Sequence, residues 1–240
     1  MNDDIAVRLI DLNRQFYQTF ALQFSATRGR IQPGVRRVLQ SLPLDADVLD
    51  LGCGNGSLAR TLSQQGFNGS YLGLDFSEGL LSVARQGLPR NYTFLQVDLT
   101  SPGWDQAIWP RAFDFVLAFA VCHHIPGHAL RRNLLAGVRH CLSDGGRLVH
   151  SEWQFLNSPR LRARLQPWDT IGMNADQVDE GDYLLDWRAG GSGLRYAHHF
   201  SEAELALLAE ASGFRVLETF YSDGEGSRLG LYQVWEKSAG

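Results

Sequence analysis

An open, doubly wound α/β sheet carrying a small cap insertion is the architecture that these 240 residues predict. Three observations carry that expectation. Between residues 46 and 153, short apolar runs alternate with amphipathic segments, which implies βαβ units and right-handed crossovers. The first run, "VLDLGCGNG", ends on Asp50 and then spends glycines at 52, 54 and 56 directly after a buried strand. A later run, "FDFVLAFAV", is apolar without interruption, as a strand covered on both faces requires.

Each element follows from local signals. Ile5, Leu9, Leu12, Phe16, Phe20 and Phe24 recur at helical spacing and predict an amphipathic opening helix. Pro33 starts a second helix, "GVRRVLQSL". Strand "ADVLDLG" leads to helix "SLARTLSQQG", and strand "SYLGLD" to helix "SEGLLSVARQG", with Ser77 as its N-cap. Strands "YTFLQVD" and "FDFVLAFAV" follow, then a helix over "HALRRNLLAGVRHCLSDGG" and a fifth strand, "RLVHSEW". Residues 154–195 break the rhythm with charges, glycines and the apolar "DYLLDW". Helix "SEAELALLAEASGF" then opens on a capping box, Ser201 with Glu204. Strands "RVLETFY" and "LGLYQVWEK" close the chain as a pair. The expected organisation is one domain over 1–240: N-terminal helices (1–45), a ligand-binding core (46–153), a cap (154–195), and a C-terminal helix and strand pair (196–240).

Composition narrows the function classes. The net charge of -4 argues against general attraction to nucleic acid or anionic membrane. Lys237 is the only lysine, so nearly all positive charge is guanidinium. Cys53, Cys122 and Cys141 are scattered without metal-ligand spacing, and no metal is expected. The acidic, charge-interrupted start is unlike a signal peptide, and no apolar stretch reaches spanning length; a cytoplasmic location is expected.

In an open α/β sheet, ligands bind beyond the carboxyl ends of the strands. A Cβ at Gly52, Gly54 or Gly56 would hold a ligand off the backbone or forbid the tight turn, and the loop N–H groups are expected to face an anionic group. The spacing is G-x-G-x-G, one residue short of the nicotinamide pattern. Asp75, about twenty residues on at the end of "YLGLD", stands where an acid can accept both ribose hydroxyls. Asp98, ending "FLQVD", stands where a carboxylate can accept from an adenine amino group.

The ordered set "VLDLGCGNG", "GLDFS", "VDL" and the run before "CHHI" resembles the class I S-adenosylmethionine-dependent methyltransferases across most of the chain. That resemblance implies a Rossmann-like, seven-stranded sheet with helices on both faces and an antiparallel last strand. It also implies S-adenosylmethionine held by Asp50, Gly52, Cys53, Gly54, Asp75, Phe76, Asp98, Leu99 and the backbone near Phe119.

Three further stretches, "FYQTFALQFSATRGRIQPGVRRVL", "FAVCHHI" and "DYLLDW…LRYAHHFSEAEL", look like the eukaryotic tRNA methyltransferases that esterify wobble 5-carboxymethyluridine. By position, that likeness carries over Arg28, His123 or His124, Arg195 and His198. Arg28 would either bind the methionyl carboxylate or cap the opening helix. The family's basic cap segment is replaced here by the acidic "NADQVDEGDYLLDW". The likeness implies a carboxylate on tRNA as acceptor and a small zinc-binding activator subunit as partner. The alternative is a small-molecule O- or N-methyltransferase, and a third reading is a cofactor-binding subunit without an acceptor. A carboxylate nucleophile is already ionised, whereas a phenol or alcohol wants a base, which His123 or His124 could supply. Trp168, Trp187 and Tyr183 either wall the acceptor or pack the cap. Arg160, Arg162 and Arg164 either meet phosphate or form a solvated face.

Overall fold

The computed structural model describes residues 1–26, 31–188 and 191–238. Helices α1 (Asp3–Ala26) and α2 (Pro33–Ser41) precede the core. The core runs β1 (Val48–Leu51), α3 (Ser57–Gln64), β2 (Tyr71–Asp75), α4 (Glu78–Ala84), β3 (Tyr92–Gln96), β4 (Phe113–Phe119), α5 (His128–Cys141) and β5 (Leu142–Trp153). After the cap come α7 (Glu202–Ala211), β9 (Phe214–Ser222) and β10 (Gly230–Lys237). The strand order is β3-β2-β1-β4-β5-β10-β9, and β10 runs antiparallel to both neighbours. The seven-stranded sheet and its reversed last strand are as expected.

Alternate residues of β1 serve opposite layers. Leu49 and Leu51 join α5 and α7 residues such as Leu134, Val138 and Leu205 on one face. Val48 joins Val38, Leu62 and Leu81 from α2, α3 and α4 on the other. Every residue of β1 and β2 is buried, as central parallel strands between two helical layers must be. One boundary differs from expectation: α5 ends at Cys141 and extended backbone begins at Leu142, so "LSDGG" belongs to β5.

The cap holds α6 (Pro159–Arg162) and an antiparallel sheet of β6 (Leu165–Gln166), β7 (Asp182–Trp187) and β8 (Gly193–His198). Strand β8 crosses the expected cap boundary at 195. Two polar clusters fasten this sheet to the body. Asn13 of α1 accepts from Tyr196 N at 2.8 Å and donates to Tyr196 O at 3.2 Å, replacing a missing strand neighbour. Fully buried Arg131 of α5 donates to Tyr196 Oη at 3.0 Å and lies 3.6 Å from Asp182. His198 bonds Asp182 through Nδ1 and Glu204 through Nε2, both at 2.7 Å. Among the described residues no helix is long and apolar enough to cross a membrane.

Candidate functional site

Strands β1, β2, β3 and β4 end around one cavity of about 310 Å³ beneath α1. Its walls include Asp50, Gly52, Cys53, Gly54, Asp75, Phe76, Asp98, Leu99 and Phe119, nine of the expected cofactor residues. The tenth, Arg28, lies outside the described residues.

The glycine loop explains its own composition. Gly52, Gly54 and Gly56 have φ of +67°, +54° and +76°, a region that side chains avoid. A Cβ at Gly52 would meet Val121 Cγ2 at 2.9 Å, and one at Gly56 would meet Ala84 Cβ at 2.9 Å. At Gly54 a Cβ would meet nothing within 4 Å; since Gly54 lines the cavity, that open space is where a ligand would lie. The expectation about the N–H groups is corrected. Cys53 N donates to Leu74 O, Gly56 N to Cys53 O, and Gly54 N to Asp75 Oδ2. The first and last of these tie the loop to β2, the Gly56 bond closes the turn on itself, and the Gly54 N–H cradles an acid of the protein itself.

Asp75 is the centre of that arrangement. Its Oδ2 accepts from Gly54 N and its Oδ1 from Ser77 N, both at 2.9 Å. Each oxygen keeps lone pairs for a donor in the cavity. Burial pushes the Asp75 carboxyl up from its ordinary value, against the pull of these backbone bonds. Asp50 is buried beside it and accepts from Tyr71 Oη. Burial, with the Asp75 charge adding to it and the Tyr71 bond opposing it, raises Asp50 to about 7. Cys53 packs its sulfur where a Cβ at Gly73 would stand, at 2.8 Å, and burial pushes its thiol far up. That makes it packing rather than a nucleophile.

Asp98 is half-buried. Its Oδ1 accepts from Thr100 N at 2.9 Å and Thr100 Oγ1 at 2.6 Å, and its Oδ2 pairs with Arg14 of α1. Burial alone would raise its carboxyl; these partners outweigh that and lower it. S-adenosylmethionine, the group implied by the sequence resemblance, fits these residues. Asp75 suits a diol, Asp98 suits an amino group, and Leu80, Val97 and Leu99 give the apolar walls a purine needs.

The expected acceptor residues separate. His124 lines the cavity, with Nε2 2.7 Å from Tyr17 Oη and Nδ1 3.2 Å from Tyr196 O. His123 is buried behind it, with its backbone N and Nδ1 each 3.0 Å from Glu152 Oε2. Glu152 is drawn down to about 2, because bonds from His123 and His150 outweigh its burial. Arg195 is buried 4.4 Å from the Trp153 ring, with Phe16 and Trp187 also around its guanidinium, and does not line the cavity. His198 sits in the buried Arg131 cluster, away from the cavity, so the structure corrects its expected place at the acceptor. Trp187 packs on Phe16, Trp168 in the Ile5–Leu9 cluster and Tyr183 on Phe155; none walls the cavity. Arg160 and Arg162 are exposed.

Sequence reasoning missed the α1 contribution: Ile10, Asn13, Arg14, Tyr17 and Ala21 also line the cavity. The signal was present as a second stripe at three- and four-residue spacing, beside the core stripe.

A methyltransferase-domain family model matches residues 24–219. The chain is 31% identical to a putative methyltransferase of Encephalitozoon cuniculi, over 85% of this chain and 87% of that one. It is 28% identical to the tRNA (carboxymethyluridine(34)-5-O)-methyltransferase of Schizosaccharomyces pombe, over 86% and 90%. It is 31% identical to a trans-aconitate 2-methyltransferase of Acidovorax ebreus, over 70% of this chain but only 62% of the relative. In fold it matches Burkholderia thailandensis 1,6-didemethyltoxoflavin-N1-methyltransferase, solved with S-adenosylhomocysteine. That match has a TM-score of 0.70 at 18% identity and covers 98% and 91% of the two chains.

Proposed function

Because this chain belongs to the methyltransferase-domain family and is an S-adenosylmethionine-dependent enzyme, we propose that it methylates a small-molecule acceptor admitted beneath α1. One observation carries the choice of acceptor size. Arg14 is the only arginine or lysine among the described residues lining the cavity, and it is already paired with Asp98. A phosphate backbone would also need free cations on the surface around the cavity, and the cap segment carries Asp176, Asp179, Glu180 and Asp182 instead.

Bound S-adenosylmethionine supplies a methyl carbon on a sulfonium. Asp75 would accept from the ribose hydroxyls, Asp98 from the adenine amino group, and the bare face of Gly54 would admit the ligand against the loop. α1 lies over the site and shields it from solvent, so alignment is the main contribution of the fold. Phe119, Val121 and His124 at the end of β4 would face the acceptor.

A second reading keeps the tRNA wobble carboxylate as acceptor, together with the zinc-binding activator subunit. It is favoured by the Schizosaccharomyces pombe relative matching over 90% of its length. One experiment separates the two. The protein is incubated with methyl-labelled cofactor and either total tRNA, with and without a zinc-binding activator, or a low-molecular-weight cell extract. Label in the extract at rates indifferent to salt is expected. Label confined to tRNA, falling steeply with salt, would transfer the assignment to the second reading.

A further inference from the structure

We propose that the outward face of α5 and α7 is an interface for a second copy of this chain, with α5 of each protomer lying on α7 of its partner. The two helices cover the same side of the sheet and carry opposite charge outward. Their self-complementarity is independent of which acceptor the enzyme takes.

The helices run side by side in the same direction. Arg131 Nη1 of α5 stands 3.7 Å from Glu204 in the first turn of α7, and Arg139 Nε near the end of α5 donates to Gly213 O, just past α7, at 3.5 Å. Their inner sides share one core, where Leu134, Leu135 and Val138 join Leu205, Leu208 and Ala209. Their outer sides differ in sign. α5 exposes His128, Arg132, Arg139 and His140 and contains no acid, whereas α7 exposes Glu202 and Glu210 and contains no base. His140 is paired with Asp105 and Glu204 with His198, so Arg132 and Arg139 set the sign of one helix and Glu202 and Glu210 that of the other. The rest of the face is small and apolar, with Ala129 and Ala136 exposed on α5 and Ala203, Ala206 and Ala211 on α7. Leu207 of α7 is 67% exposed. A groove of about 620 Å³ lies between α5 and the end of α7, lined by Ala129, Ala136 and Ala211 together with Arg132 and Arg139. A bare leucine beside an unfilled groove marks a surface built for contact.

Charge selects the symmetry. A two-fold axis across the helices would set α5 on α5 and bring Arg132 and Arg139 against their own copies. An axis along the helices sets α5 on the partner's α7, in the same direction and at the same height, and the contact closes as a dimer. With Glu204 level with Arg131, Glu202 stands level with Ala129 and Glu210 with Gly137. The partner's Glu202 then falls within about one turn, 5.4 Å, of Arg132, and the partner's Glu210 within about one turn of Arg139. Guanidinium side chains span that distance, and the alanines let the helices approach. The helices are only about 21 and 15 Å long, so the face supplies less than the roughly 800 Å² per partner of a standard interface. The dimer is therefore of the weak, salt-sensitive class, with a Kd on the order of 10 μM.

Sedimentation equilibrium on the full chain tests the proposal, with circular dichroism confirming that each variant is folded. At about 50 mM salt the wild type should dimerise, and raising salt to about 500 mM should weaken the dimer at least tenfold. The double variants Arg132→Glu with Arg139→Glu, and Glu202→Arg with Glu210→Arg, should each be monomeric, because each sets like charges against one another in both halves of the interface. An equimolar mixture of the two should dimerise again, since every facing pair in the mixed dimer is once more of opposite sign. Residues that served only their own fold would give no such rescue. A wild type that stays monomeric at low salt overturns the proposal, as does a dimer that survives in either double variant, or a mixture that stays monomeric. A monomeric wild type that binds poly-glutamate or total tRNA, and loses that binding in Arg132→Glu with Arg139→Glu, gives the face to another occupant and equally overturns the dimer.

Discussion

Gly54 donates its backbone N–H to Asp75 Oδ2 at 2.9 Å, so the glycine loop and the acid at the end of β2 are one device. The loop needs left-handed backbone to turn that N–H toward β2, and the acid needs the N–H to hold its oxygens at the cavity. Neither residue can be replaced without disturbing the other.

The loop glycines should therefore fail in different ways. Gly54→Ala puts a Cβ into open cavity at φ +54°. The expected outcome is a stability loss of about 1–2 kcal/mol, with a cofactor affinity loss of tenfold or more. Gly56→Ala adds a 2.9 Å clash with Ala84 to φ +76°, so stability should suffer more than affinity. Denaturant melts and calorimetry on both variants check the contrast.

Asp50 should make the ligand-free protein less stable as pH rises. Its carboxyl titrates at about 7 when folded against an ordinary 3.8, so between these values the folded state holds a proton that the unfolded state has lost. Stability contributed by that proton is present at low pH and lost as pH climbs through 7. Asp50→Asn should equal the wild type near pH 4 and exceed it at pH 8 by roughly 2–4 kcal/mol. Parallel stability curves for the two proteins would contradict this.

His198 gives a pH dependence of the same sign as Asp50, over a window that starts from its own higher ordinary value. Burial alone would lower it, but its bonds to Asp182 and Glu204 win and raise it. The stabilisation is full below about 6.5 and lost as pH rises through the raised value. His198→Gln should cost more stability at pH 6 than at pH 9. Arg131→Met, which removes the buried guanidinium beside Asp182 and leaves Asp182 to His198 and Tyr196, should cost about 3–5 kcal/mol. Cofactor affinity should change less than stability in both, because neither side chain lines the cavity.

Much of this molecule was legible because parallel sheets concentrate chemistry at strand ends. Asp50, Asp75 and Asp98 each close an apolar run, and the glycines between the first two follow from one tight turn. The role of the Gly54 N–H is hidden in the sequence because its partner, Asp75, lies 21 residues away. The α1 contribution was obscured for a similar reason: Asn13 serves Tyr196, 183 residues distant, and nothing local marks an asparagine as a surrogate strand. Arg131 reads as half of an ordinary "RR" on a helix, yet it is fully buried under the cap. His198 is placed at the acceptor by the family likeness alone, and only the fold shows both its nitrogens occupied. Glu204 completes one half of its capping box, since its N–H donates to Ser201 Oγ at 3.1 Å, while its carboxylate turns to His198.

The most direct measurement is calorimetric titration of S-adenosylmethionine into wild type and Asp75→Ala, with circular dichroism confirming that both are folded. The wild type should bind, and the variant should retain its spectrum while losing at least a hundredfold in affinity. Equal affinities in the two folded proteins would show that the cofactor is held somewhere other than the β2 acid and the glycine loop.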